Sequence, residues 1–162
     1  PPPPPPSFQA EDGIRDHLLG LVGSEMCIRD SHYFERGTKK LVIELELEHV
    51  TFFLVHLALS YKVRQNQLIH LYHMIKETDR PHIVAGDFNA FLGEKELQLL
   101  QAATGLQNAD PAMQPTFPSH KPKRHLDFIL HSPNIEITRF EIPQVQLSDH
   151  LPLVIDFDAQ TA

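Results

Sequence analysis

An order of elements limits the fold of this chain more than any other feature. Val50-Thr-Phe-Phe-Leu-Val-His-Leu is an almost continuous apolar, β-rich run, which reads as a buried strand. Leu68, Leu71, Tyr72 and Ile75 then recur at helical spacing, predicting a helix over residues 61–77 with Ser60 as its N-cap. Pro81 ends that helix, and His82-Ile-Val-Ala-Gly follows as a second short buried strand opening onto Asp87-Phe-Asn.

The flanking chain continues the pattern. Leu41-Val-Ile-Glu-Leu-Glu-Leu alternates after its first residues, as a strand with one wet face does. Glu94–Leu100 predicts a second helix, with Gly105 as a C-cap. A Pro-rich loop spans Asp110 to Lys123, with a short strand at Thr116-Phe117. Strands over Leu126–His131, Ile135–Glu141 and Leu153–Phe157 complete the set. This succession implies an α/β layered fold, and no internal repeat is visible.

Residues 1–31 do not share this patterning. Six consecutive prolines precede QAEDGIRDHLLGLVGSEMCIRDS, which has no apolar period. HLLGLV is a poor signal-peptide core, because Glu11, Asp12 and Asp16 stand where a basic region belongs. Back-translated, Phe8 to Asp16 resembles the end of a primer used in short-read sequencing libraries. Leu21 to Asp30 likewise resembles a transposase adapter, and Pro1–Pro6 a run of cytosines. Residues 1–31 are therefore set apart as an adapter-derived, non-native segment, expected to be disordered, and residues 32–162 are read as the native portion.

The exclusion changes the composition. Five acids and two bases leave with residues 1–31, so 12 Lys+Arg face 16 Asp+Glu in the remainder. A mildly acidic chain does not suit passive wrapping of nucleic acid, which relies on phosphate neutralisation. Cys27, the single cysteine, also goes, leaving no disulfide framework or thiolate site. No apolar run approaches the roughly 20 residues of a membrane span. The compartment stays open.

Four polar clusters follow or interrupt apolar strands: Val55-His56-Leu57, Gly86-Asp87-Phe88-Asn89, His125-Leu126-Asp127-Phe128, and Leu147-Ser148-Asp149-His150-Leu151-Pro152. Each has a plain alternative. His56 suits a satisfied core histidine as well as a catalyst. Asp87 and Asn89 suit a turn cap, and Ser148 and Asp149 suit a turn ahead of the last strand. Asp127 inside an apolar strand is harder to dismiss, since a buried unpaired carboxylate is costly. On extended chain, Asp87 and Asn89 point the same way. Asp127 is available to orient the ring of His150, fixing its tautomer and leaving the other nitrogen for proton transfer. Oxygen ligands with imidazole and no cysteine point to a hard cation, Mg²⁺ or Mn²⁺.

GDFN, TFPS, LDFIL and LSDHLPL, in that order and preceded by HLALS, resemble the C-terminal half of the endonuclease/exonuclease/phosphatase superfamily. That resemblance implies a deoxyribonuclease I-like, four-layer α/β-sandwich. This chain would supply mainly the second sheet with its flanking helices. It further implies a metal-dependent phosphoesterase in the intact parent. His150 would do acid/base or transition-state work, with Asp127 bonded to it. Asp87 and Asn89 would stand at the attacking water and the developing oxyanion, His56 would contact the phosphate, and Asp149 and Asp87 would lie at the metal. The family's principal metal ligand, a Glu from the N-terminal half, has no counterpart here. Glu44, Glu46 and Glu48 are read as a solvated strand face.

Weaker clusters are weighed in the same way. His70 and His73 read as solvated, with zinc binding the minor alternative. Lys121, Lys123 and Arg124 lie in a loop beside the site, as phosphate contacts or as loop solvation; Arg124 is taken as substrate-binding with Asn89 and His56. The expected partner is a phosphate-ester substrate: nucleic acid, phospholipid head group or small phosphoester. Charge leans away from long nucleic acids, and no stable protein partner is expected. The rival reading is a non-catalytic fragment or binding module that retains the fold alone.

Overall fold

The computed structural model describes residues 27–34 and 41–159. Its main sheet has six strands in the order β1-β2-β3-β4-β6-β5. They are β1 Cys27–Tyr33, β2 Leu41–Glu46, β3 Thr51–His56, β4 His82–Asp87, β5 Gln107–Asn108 and β6 Asp127–His131. Helix α1, Tyr61–Lys76, joins β3 to β4, which pair in parallel. This is the crossover that two parallel neighbours require. β4 and β6 pair antiparallel, and a two-stranded sheet of β7, Ile135–Glu141, and β8, Val154–Ala159, stands apart.

The two faces of the main sheet are covered differently. One face carries Val42, Phe53, Val55, Val84, Phe128 and Leu130, packed with Leu68, Leu71 and Ile75 of α1. The other face presents Val50, Ile83, Ala109 and Ile129 to β7 and β8, with Phe157 set edge-on against Phe52 at 6.0 Å between centroids. The expected α/β class is therefore observed: a multi-strand sheet with helices on one face and a second sheet on the other.

Several local expectations need correction. Ser60 has the extended backbone of an N-cap but makes no side-chain cap bond; its carbonyl accepts from Arg64 N at 2.9 Å. The helix expected over Glu94–Leu100 is split into a 3-10 turn, Gly93–Glu96, and α2, Gln98–Thr104. Glu96 turns inward there to meet Arg64, which breaks the regular helical repeat. Gly105 is the C-cap, at φ 80°, and donates to the Gln101 carbonyl at 2.7 Å. Thr116-Phe117 forms an isolated bridge from Phe117 to Arg124 instead of a strand.

Strands β1 and β5 were not expected. β1 straddles the boundary set at residue 31, and it pairs antiparallel with β2. Disorder was expected over residues 1–31; residues 27–31 instead belong to β1, and residues 1–26 lie outside the described residues. β5, at two residues, is too short to leave a period in the sequence.

Candidate active site

Sheet register assembles the first part of the site. His56 is opposite Asp87 in the parallel β3–β4 ladder, and Asp87 is opposite Asp127 in the antiparallel β4–β6 ladder. Three polar side chains from distant parts of the chain thus share one row at one end of the sheet. His56 Nε2 lies 3.4 Å from Asp87 Oδ2 and its side chain is 60% exposed, so the core-histidine alternative does not hold.

Asn89 is the second residue past the end of β4, in a left-handed conformation with φ 49°. The expectation that Asp87 and Asn89 lie on extended chain is corrected here. The chain folds back, and Asp87 Oδ1 accepts the Asn89 backbone N–H at 2.9 Å. Asn89 Nδ2 donates to Asp87 Oδ2 at 3.1 Å and to the Leu57 carbonyl at 2.9 Å. The turn-cap and site readings of this pair therefore coexist. Burial pushes the Asp87 carboxyl above its ordinary value, opposed by the Asn89 N–H, with Asp127 adding to the rise.

His150 comes from the segment ahead of β8. Its Nδ1 lies 2.8 Å from Asp127 Oδ2, so Nδ1 carries the proton and Nε2 is left for chemistry. The same Asp127 oxygen accepts the Thr116 hydroxyl at 2.5 Å, and Phe117 packs on the imidazole at 4.8 Å between centroids. Burial works to lower the His150 pKa; the hydrogen bond and charge of Asp127, with Asp87 and Asp149, overcome it and leave the value raised.

The loop over residues 116–124 fixes the segment that carries His150. Ser119 N donates to the Asp149 carbonyl at 2.7 Å and Ser119 Oγ to the Ser148 carbonyl at 2.6 Å. Leu151 N donates to the Thr116 carbonyl at 2.9 Å. Thr116 and Ser119 are buried and were missed as individual residues in the sequence, where TFPS signals only the motif.

These groups line one cleft of about 490 Å³, shared by His56, Asp87, Asn89, Asp127, Asp149 and His150. Arg124 stands at its rim, its guanidinium 5.3 Å from the centroid of Phe91, a lining residue. Lys121 and Lys123 are exposed on the same loop. Away from the cleft, Glu44 pairs with His32 at 3.1 Å, and Glu46 lies 3.8 Å from Arg80. His70 packs edge-on against Phe34 instead of being solvated, while His73 is exposed.

Asp149 is exposed at the cleft, and each Asp87 oxygen accepts one hydrogen bond from Asn89, which leaves a further lone pair on each. Among the described residues no group of three or more His, Cys, Asp or Glu side chains is arranged to hold a metal ion. The described donors therefore do not by themselves fit a divalent cation. No described helix is long and apolar enough to cross a membrane.

The cleft thus joins parallel and antiparallel strand ends and sets an imidazole held by a carboxylate beside an Asp/Asn pair. The model of the endonuclease/exonuclease/phosphatase family matches residues 5–150, and the chain belongs to that family. A UPF0294 protein of Vibrio vulnificus (strain CMCP6) is 31% identical over 160 residues, covering 94% of this chain and 49% of the relative. The chain thus spans about half the length of that curated relative. Among solved structures, a family protein from Bacteroides vulgatus aligns with TM-score 0.67 at 20% identity, over 83% of this chain and 67% of that one. A mannosyl-6-phosphatase from Bacteroides thetaiotaomicron aligns with TM-score 0.63 at 15% identity, over 82% and 67%. Members of the family are hydrolases of phosphate esters that generally use divalent metals.

Proposed function

We propose that the intact parent of this chain hydrolyses a phosphate ester by attack of an activated water, with the described cleft as its active site. One observation carries this reading above the others. Asp127 Oδ2 holds His150 Nδ1 at 2.8 Å, in the cleft that also contains Asp87, Asn89 and His56. In the proposed reaction His150 Nε2 and Asp87 are the two groups placed to exchange a proton with water. Asn89 and His56 meet the charge that grows on the phosphate oxygens. Arg124 adds a cation at the rim. Dependence on Mg²⁺ or Mn²⁺ is part of the proposal. Asp149 and Asp87 would contribute oxygen ligands, and at least one ligand from outside the described residues would complete the set.

The test is turnover of a phosphodiester by the intact parent. His150→Ala and Asp87→Ala are each expected to lower it by at least about 10²-fold, the scale of one acid–base group. Near-normal cleavage by both variants contradicts the proposal.

A second reading concerns the 162-residue chain itself. An open apolar groove of about 500 Å³ on the sheet face away from α1 is lined by Leu41, Ile43, Leu54, Ala85, Ile129 and Leu153. With that face open and the metal ligands incomplete among the described residues, we propose that the 162-residue chain is an inactive portion of the parent and that residues 1–31 of this chain are adapter-derived.

A further inference from the structure

Leu59 and Phe91 are 67% and 42% exposed, and both line the cleft beside its polar residues. Apolar side chains left in water forgo about 25 cal/mol for each Å² they could bury. An exposed pair is unremarkable when it is loose; this pair is not. Arg64 and Glu96, both almost fully buried, form an ion pair at 2.6 Å between Arg64 Nη2 and Glu96 Oε2, with Arg64 Nε donating to the same oxygen at 2.7 Å. Arg64 Nη1 donates to the Ala58 and Leu59 carbonyls, each at 2.8 Å. Glu96 Oε1 accepts the Leu92 N–H at 2.9 Å.

This ion pair ties the backbone of Leu59 to the backbone next to Phe91. Desolvating two charges is expensive, and apolar replacement of such a pair is often neutral or stabilising. Here its hydrogen bonds go to the two loops that bear the exposed side chains. The Arg64 and Arg124 guanidinium carbons lie 5.9 and 5.3 Å from the Phe91 ring centroid, within the range of a cation–π contact. The ring remains partly open to the cleft with both in place.

We infer that the Leu59–Phe91 wall, with Arg124, is a specificity subsite for a planar, π-rich group carried by the phosphate ester. The polar residues of the cleft take the phosphate and the wall takes its substituent. A compact polyol phosphate leaves the wall wet and gains nothing from it. The inference rests on the proposed phosphate-ester reading only for what the polar residues bind.

Equilibrium binding to the intact parent without added metal separates the two, using phenyl phosphate and glycerol 2-phosphate as probes and NMR shifts as readout. Phenyl phosphate is expected to bind about tenfold tighter, the affinity scale of one aromatic contact, and to shift Phe91 and Leu59 resonances. Phe91→Ala and, independently, Leu59→Ser are each expected to shrink that preference to about threefold or less. Equal affinities in the wild type, a preference unchanged in both variants, or no binding of either probe overturns the inference. Preference without hydrolysis would remove the proposed reaction and leave the subsite; hydrolysis without preference would do the reverse.

Discussion

Asp127 Oδ2 is the atom on which most of the site turns, because it accepts from both His150 and Thr116. The hydroxyl stops the carboxylate from rotating away from the imidazole. In the intact parent, Thr116→Val should therefore lower kcat by about tenfold with KM little changed, the loss expected for one hydrogen bond to a charged group, and Thr116→Ser should restore it. Steady-state kinetics on the three proteins decide this; an unchanged kcat in the Val variant rejects the positioning role. His82 makes a separate point. Its Nδ1–H donates to the Arg80 carbonyl at 2.8 Å, while Nε2 is buried without a partner. Burial pushes its pKa below 6.5, outweighing that hydrogen bond. A lowered folded pKa means stability that is fully present above 6.5 and is lost as pH falls through the folded value. Thermal unfolding of the intact parent at about pH 7 and about pH 5 should show a drop that His82→Gln reduces. The Asp127–His150 partnership was legible in the sequence, because an aspartate in an apolar strand needs a partner. The Arg64–Glu96 pair was not: an arginine on a helix and a glutamate in a loop look solvated until the fold brings them together.

At the scale of elements, the β3–β4 ladder sets the spacing of His56 and Asp87, and it depends on one residue. Gly86 has φ 139°, and a Cβ there would lie 2.0 Å from the Val55 carbonyl oxygen. No side chain can occupy that point without moving β3 away from β4. In the intact parent, Gly86→Ala should cost more than about 1 kcal/mol in urea unfolding, because it combines an incompatible φ with a backbone clash. A loss of only a few tenths would mean that the ladder yields easily. Strand and helix types were readable here from apolar run and period. The split at Leu97 was not, because it follows from Glu96 being drawn inward by Arg64, a contact 32 residues away in sequence. Nor was the fold-back at Asn89, since Asp-Phe-Asn is compatible with extended chain as well as with a turn.

For the whole molecule, the uneven covering of the main sheet is the governing fact. Among the described residues, one face is closed by α1; on the other, β7 and β8 leave the groove beside Leu41, Ile43 and Leu54, the last 38% exposed. Apolar area of that kind promotes association. The purified 162-residue chain is predicted to bind a hydrophobic dye, to unfold without a cooperative transition and to cleave no phosphodiester. A sharp transition together with Mg²⁺-dependent cleavage contradicts that. The acidic balance and the apolar layering were both visible in the sequence. The convergence of six residues on one cleft was implied there only by family resemblance, since no local pattern states which strand ends meet.

The central claim is that His150 and Asp127 act as one unit in a phosphate-ester hydrolase site. A double-mutant cycle on the intact parent, reading phosphodiester turnover, tests it most directly. If the unit exists, His150→Ala combined with Asp127→Asn loses no more than about what His150→Ala loses alone, because residues that act together are not additive. Losses that multiply across the two variants, or turnover that survives His150→Ala, contradict the account.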